Sequence, residues 1–179
     1  MNLDQVMDGE AVARAIRRIA HEIAESGDDE VGRLVLAGIP TRGVEVARRI
    51  IAHLEEIAGV APDLGTVDVS MHRDDLAMRA RMTAVEPTTL PLDLDGRTLI
   101  LVDDVLFTGR SVRAAMDAIA SFGRPARIRM ATLVDRGHRE LPIRADYVGK
   151  NVATEMSEKI RVRFESLDGE PDGVSVVRT

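Results

Sequence analysis

The densest run of reactive side chains in this 179-residue chain is Asp103-Asp104-Val105-Leu106-Phe107-Thr108-Gly109-Arg110-Ser111. Two adjacent carboxylates precede a small turn that carries two hydroxyls and a glycine. Leu99-Ile100-Leu101-Val102 comes just before, an apolar run of the length of a strand buried on both faces. Ser111 opens a helical pattern. Ligands of open α/β sheets sit beyond the carboxyl ends of strands, and a helix N-terminus offers unpaired N–H groups to an anion. Gly109 allows close backbone approach, and Thr108 and Ser111 add donors. Carboxylates repel phosphate, so Asp103 and Asp104 are suited instead to accepting from sugar hydroxyls or to acting near Mg²⁺. The order of residues therefore describes a site for a ribose 5-phosphate.

Other positions carry weaker signals. Ile39-Pro40-Thr41-Arg42-Gly43 is a second small turn opening a helix, and Arg42 has the planar fork that pairs with a pyrophosphate. Arg14, Arg17, Arg18 and His21 recur at helical spacing, which describes either a solvated face or an anion-contacting one. Between His72 and Gly96 the apolar pattern thins while Arg73, Arg79 and Arg81 precede two prolines and several acids. A loop of that length is either a lid that excludes water from a reactive centre or an exposed hairpin at an oligomer contact.

The elements that must hold these groups alternate. Asp8 caps a helix over Gly9 to Glu25 whose apolar face is Val12, Ile16, Ile19, Ala20 and Ile23. A buried strand is expected over Val31 to Gly38, then a helix with Val44, Ala47, Ile50, Ile51, Leu54 and Ile57 as its stripe. Thr66 to Met71 alternates like a strand. A helix follows over Ser111 to Phe122, stopped by Gly123 and Pro125, then a strand over Arg127 to Val134 and a polar segment to Asn151. Lys159 to Phe164 and Gly173 to Val177 form a hairpin at the sheet edge in this reading. Repeated strand–helix units argue for an α/β fold with a parallel sheet, in one domain spanning 1–179.

Composition narrows the classes. The chain is 45% hydrophobic and 30% charged, a globular balance, while 2% aromatics argue against a single-strand reader built on stacking platforms. The absence of cysteine excludes disulfides, thiolate zinc sites and a cysteine nucleophile. A net charge of −6 provides no global attraction for nucleic acid, so any such contact needs a local patch. Met1 to Glu10 is polar, unlike a signal peptide, and no long apolar span occurs. The expectation is a cytoplasmic protein without a membrane partner.

The string from Leu99 to Ser111 resembles the signature of type I phosphoribosyltransferases, which bind phosphoribosyl pyrophosphate (PRPP). Val134 to Asn151, Arg17 to Glu22, Thr41 to Gly43 and His72 to Leu76 resemble the PyrR family, pyrimidine-operon regulators that are also uracil phosphoribosyltransferases. Three positions depart from the family's habit. His72 stands where an aromatic is usual, Pro40 where lysine is frequent, and Ser111 where threonine is frequent. The resemblance implies a type I phosphoribosyltransferase fold, a mainly parallel sheet flanked by helices. It adds a flexible β-arm or lid at about 72–96, and a small hood from about 135–179 with the N-terminal region. It implies conversion of uracil and PRPP to UMP and diphosphate, with Mg²⁺ held mainly through PRPP rather than by a protein metal site. On this reading Asp103, Asp104 and Arg73 are catalytic. Thr41, Arg42 and the run Asp103, Asp104, Val105, Leu106, Phe107, Thr108, Gly109, Arg110 and Ser111 bind PRPP or nucleotide, and Val134 and Arg136 face the base. Arg17, Arg18, His21, Arg144 and Lys150 contact pyrimidine-operon leader RNA in response to UMP or UTP, in a homodimer or larger homo-oligomer. The competing readings are a regulator with vestigial catalysis and a phosphoribosyltransferase for another base.

Overall fold

Alternation within the short apolar runs decides which face each side chain occupies. In a computed structural model that describes residues 2–70 and 87–178, Val35 and Ala37 join Leu99 and Leu101 on one side of a sheet, while Leu36 joins Ile100 and Val102 on the other. These residues belong to strands β2 (Val35–Gly38) and β4 (Thr98–Leu106). With β3 (Asp63–Thr66), β5 (Arg127–Asp135) and β6 (Tyr147–Asn151) they form a five-stranded sheet in the order β3-β2-β4-β5-β6, parallel throughout. Burial on both faces requires cover on both. Helices α1 (Gly9–Glu25) and α2 (Arg42–Ala58) supply Val12, Ile16, Ile50 and Leu54 to one core, and α3 (Arg110–Ile119) supplies Val112, Ala115 and Ile119 to the other. The α/β expectation and its parallel sheet are met.

A second sheet has three antiparallel strands in the order β1-β8-β7, where β1 is Asn2–Met7, β7 Lys159–Arg163 and β8 Gly173–Arg178. One helical turn, α4 (Glu165–Asp168), joins β7 to β8. Met7, Val162, Phe164, Val174 and Val176 pack into the core beneath α1 and α2. The C-terminal hairpin therefore exists, but it does not extend the edge of the main sheet as expected; it pairs with the N-terminal strand to make its own.

Other boundaries move for identifiable reasons. The capped helix keeps its bounds, and the Asp8 carboxylate accepts from the Ala11 N–H at 2.8 Å. The strand expected over Val31 to Gly38 is only its last four residues; Val31–Arg33 is a 3₁₀ turn with Arg33 paired to Asp29 at 3.2 Å. The strand expected over Thr66 to Met71 lies earlier, at Asp63–Thr66, because its partner β2 ends at Gly38, opposite Thr66. Val67 and Val69 keep the alternating burial without strand pairing, and Met71 lies outside the described residues. Ile57, placed on the α2 stripe, is exposed near the helix end. The helix expected over Ser111 to Phe122 runs from Arg110 to Ile119. Of the segment 72–96, residues 72–86 lie outside the described residues. Thr89 bridges to Thr66 and Leu94 is buried, so the end of that segment packs on the body.

Candidate active site

The open carboxyl edge of the sheet follows from unequal strand lengths. Strand β2 stops opposite Val102, whereas β4 continues to Leu106, paired on its other side with β5. Asp103 and Asp104 thus lie within β4 rather than after it, beside an edge that β2 has vacated. The Ile39 N–H donates to the Val102 carbonyl at 2.9 Å as the chain turns away toward α2. Gly43 makes this turn possible: a Cβ there would lie 2.5 Å from the Val102 carbonyl oxygen. Gly109, the residue before α3, is needed for a different reason: its φ of +91° lies in the left-handed region that favours glycine. The Pro40–Thr41 peptide is cis.

These turns frame a cleft of about 390 Å³. Asp103, Asp104, Val105, Leu106, Phe107, Thr108, Gly109 and Ser111 all line it, so the structure brings together the run singled out from sequence, apart from Arg110. The Arg110 guanidinium turns outward to Glu140 at 2.6 Å. The cleft is closed by Ile39 and Pro40, by Val69, and by Ile160 of β7. Val69, in the loop after β3, and Ile160, in β7, were not foreseen: an isolated apolar residue carries no signal separating a ligand wall from core.

Asp103 is nearly buried and accepts from the Asp104 N–H at 2.9 Å. Burial raises the Asp104 carboxyl above the ordinary aspartate range, against the opposing hydrogen bond from Asp103 and the positive charge of Arg42. A carboxylate so placed gains by accepting hydroxyl donors. Among the described residues no cluster of three or more His, Asp or Glu is assembled for a metal. The two aspartates offer hard oxygens fit for a divalent cation that brings its remaining ligands on a phosphate.

The other expected site residues are distributed differently. Thr41 is exposed at the start of α2. Arg42 donates through Nε to the Val162 carbonyl at 2.9 Å and pairs with Asp168 at 2.5 Å, which ties it to the smaller sheet. Val134 is wholly buried in the core and does not reach the cleft. Arg136 is buried with its guanidinium 4.1 Å from the Phe107 ring centroid, and lines a separate cleft of about 670 Å³ with His138, Arg139, Arg144 and Asn151. Burial lowers its pKa, with Glu158 opposing. Arg73 lies outside the described residues. Of the expected RNA contacts, Arg18 donates to the carbonyls of Val148 and Gly149 at 3.0 and 2.6 Å, and Lys150 to that of Val6 at 2.9 Å. Arg17, His21 and Arg144 are exposed.

A parallel sheet with an acidic strand end and a phosphate-suited turn at its carboxyl edge defines a class, and comparison agrees: the chain belongs to the phosphoribosyl transferase domain family, whose model matches residues 2–165. Solved structures share the fold. A hypoxanthine-guanine phosphoribosyltransferase from Bacillus anthracis str. 'Ames Ancestor' superposes with a TM-score of 0.74 at 16% identity, covering 98% of both chains. The hypoxanthine phosphoribosyltransferase of Trypanosoma cruzi gives 0.71 at 19% identity, covering 98% of this chain and 96% of that one. Within the family the chain is a member of the PyrR group. It is 53% identical over 179 residues to the bifunctional protein PyrR of Roseiflexus sp. (strain RS-1), covering 100% of this chain and 97% of that relative. It is 52% identical over 172 residues to that of Clostridioides difficile (strain 630), covering 96% of each.

Proposed function

We propose that the chain transfers phosphoribose from PRPP to uracil, forming UMP and diphosphate, and that it also binds pyrimidine-operon leader RNA in response to UMP or UTP. The observation that carries the reading is the convergence of Asp103, Asp104 and the α3 N-terminus on one cleft, in a chain half identical along its length to bifunctional PyrR proteins. Asp103 and Asp104 accept from the ribose hydroxyls, and Thr108 to Ser111 hold the 5′-phosphate through N–H and hydroxyl donors. Ile39, Val69 and Ile160 form an apolar wall against a flat base. The smaller sheet that carries Ile160 is the hood, within one domain over 1–179.

The reaction is a displacement at the anomeric carbon. The bond to the pyrophosphate oxygen breaks as the bond to the uracil nitrogen forms, and the proton of that nitrogen is released to solvent. Positive charge develops on the ribose, beside the Asp103–Asp104 pair, which stabilises it. Thr41 and Arg42 receive the leaving pyrophosphate; Arg42 must exchange Asp168 and the Val162 carbonyl for it, and Arg73 covers it from the lid. Mg²⁺ bound with PRPP would be held from the protein side by Asp103 and Asp104, neutralising phosphate charge. Val134 and Arg136 support the base side from behind the cleft rather than lining it. Arg17, Arg18, His21, Arg144 and Lys150 form the RNA surface, which a homo-oligomer would duplicate.

Incubation with labelled PRPP and, separately, uracil, orotate, hypoxanthine or guanine tests the reading. UMP formed from uracil alone is expected. Turnover only with a purine would overturn the specificity. Nucleotide-dependent RNA binding without turnover would leave a regulator alone.

A further inference from the structure

The segment Arg136–Leu141 lies behind the phosphate loop, and it holds nearly every carbonyl there. The Arg136 N–H donates to the Leu106 carbonyl at 3.1 Å. Arg139 Nη1 donates to the Phe107 carbonyl at 2.8 Å, and the N–H groups of Glu140 and Leu141 converge on the Thr108 carbonyl at 3.0 and 3.2 Å. Phe107 itself is gripped as a ring, with the Arg136 guanidinium over its face and His138 at its edge, 6.0 Å between centroids. The Arg139 fork is fixed in turn by the Ile143 carbonyl at 2.9 Å and by Asp135.

The peptide units from Phe107 to Gly109 are trans. In a trans peptide the C=O and the N–H of the same plane point in opposite directions. A Phe107 carbonyl held outward by Arg139 therefore aims the Thr108 N–H the other way, toward the cleft. The Thr108 carbonyl, held by Glu140 and Leu141, does the same for the Gly109 N–H. Neither N–H has a protein acceptor among the described residues, although Thr108 and Gly109 both line the cleft. Unpaired, converging N–H groups form a concavity for an anion.

We propose that Arg139 is a positioning residue for the 5′-phosphate: by anchoring the Phe107 carbonyl from outside, it orients the loop amides that bind the phosphate within. Arg136 assists by holding the Phe107 ring. Among the three outer anchors Arg139 is the one made by a side chain, so it is the one a substitution removes without altering the backbone. This rests on the reading of the cleft as a ribose 5-phosphate site.

The test compares UMP with uridine, which lacks only the phosphate, by calorimetric titration of the full chain. For Arg139→Ala the UMP affinity is expected to fall about tenfold, the scale of one lost hydrogen-bond orientation, while uridine changes less than about twofold. Arg139→Lys, which keeps a donor but loses the fork, is expected between wild type and alanine, and it carries the comparison if the alanine variant does not fold. In turnover, KM for PRPP rises with kcat little changed, because the phosphate is held alike in ground and transition states. Equal loss for UMP and uridine, or no loss for either, would overturn the positioning role. A wild-type chain that binds UMP no better than uridine would overturn the phosphate-site reading itself, and this inference with it.

Discussion

At Asp104 two requirements conflict, and the conflict is measurable. Burial raises its carboxyl, so keeping it ionised costs stability, yet an anion is what a developing ribose cation needs. Asp104→Asn keeps the shape and removes the charge. Its catalytic rate should fall by about 10²–10³-fold, the scale for one preorganised group facing developing charge. Near-wild-type turnover would take Asp104 out of the site. In stability the sign reverses. The folded pKa lies above the unfolded one, so the penalty is full above the folded value and vanishes below the unfolded value. Asp104→Asn should therefore raise the urea midpoint at neutral pH, and the gain should disappear as pH falls toward about 4, the unfolded aspartate value. At Gly43 the constraint is steric. Gly43→Ala would put a methyl 2.5 Å from the Val102 carbonyl, and overpacking of this kind costs about 1–3 kcal/mol, read as a lower urea midpoint. An unchanged midpoint would mean that the start of α2 shifts freely. The acidic pair and the Thr-Gly turn were legible because their chemistry is contiguous. Ile160 was not, since its part in the cleft arises only from the packing of a second sheet, and neither was the Arg42 pairing, whose partner Asp168 is 126 residues away.

Among elements, α2 is the strut between the two sheets. Its first turn holds α4 through Arg42 and Asp168. Further along, Arg49 bridges Glu45 at 2.9 Å and Asp172, with its guanidinium 4.5 Å from the Phe164 ring centroid, and Ser166 donates to Glu45 at 2.9 Å. Burial pushes the Glu45 and Asp172 carboxyls up, but the bonds and charge of Arg49 outweigh it, and both end below their ordinary values. Such groups stabilise the fold above the unfolded carboxylate range, and that contribution is lost as pH falls through the folded values. Asp172→Ala should cost about 1–3 kcal/mol at pH 7 and flatten the acid limb of stability against pH, followed by urea unfolding at several pH values. A cost independent of pH would point to lost packing instead. The capped α1 was readable to the residue because its signals are local: one side chain cap and a 3.6-residue period. Strands β1 and β6 were not, because each is an edge strand with few buried side chains, and β1 pairs only with the far end of the chain.

On the whole molecule, the proposed RNA binding would have to overcome a net charge of −6, so the basic residues would have to act as a local patch. The fold divides the expected contacts by task. Arg18 ties α1 to β6 through two carbonyls and also pairs with Glu22 at 2.6 Å, while Lys150 ties β6 to β1. These two hold the platform. Arg17 and His21 on α1, and Arg144 before β6, project from it without a hydrogen bond or ion pair among the described residues. Each arginine freed for phosphate contributes about one unit to the slope of log affinity against log salt. Replacing both Arg17 and Arg144 by alanine should therefore weaken leader-RNA binding at every salt concentration and lower that slope by about 1–2, measured by filter binding over a KCl series. Arg18→Ala and Lys150→Ala should instead lower the thermal midpoint along with RNA affinity. An unchanged slope in the Arg17, Arg144 double variant would move the RNA surface elsewhere on the chain.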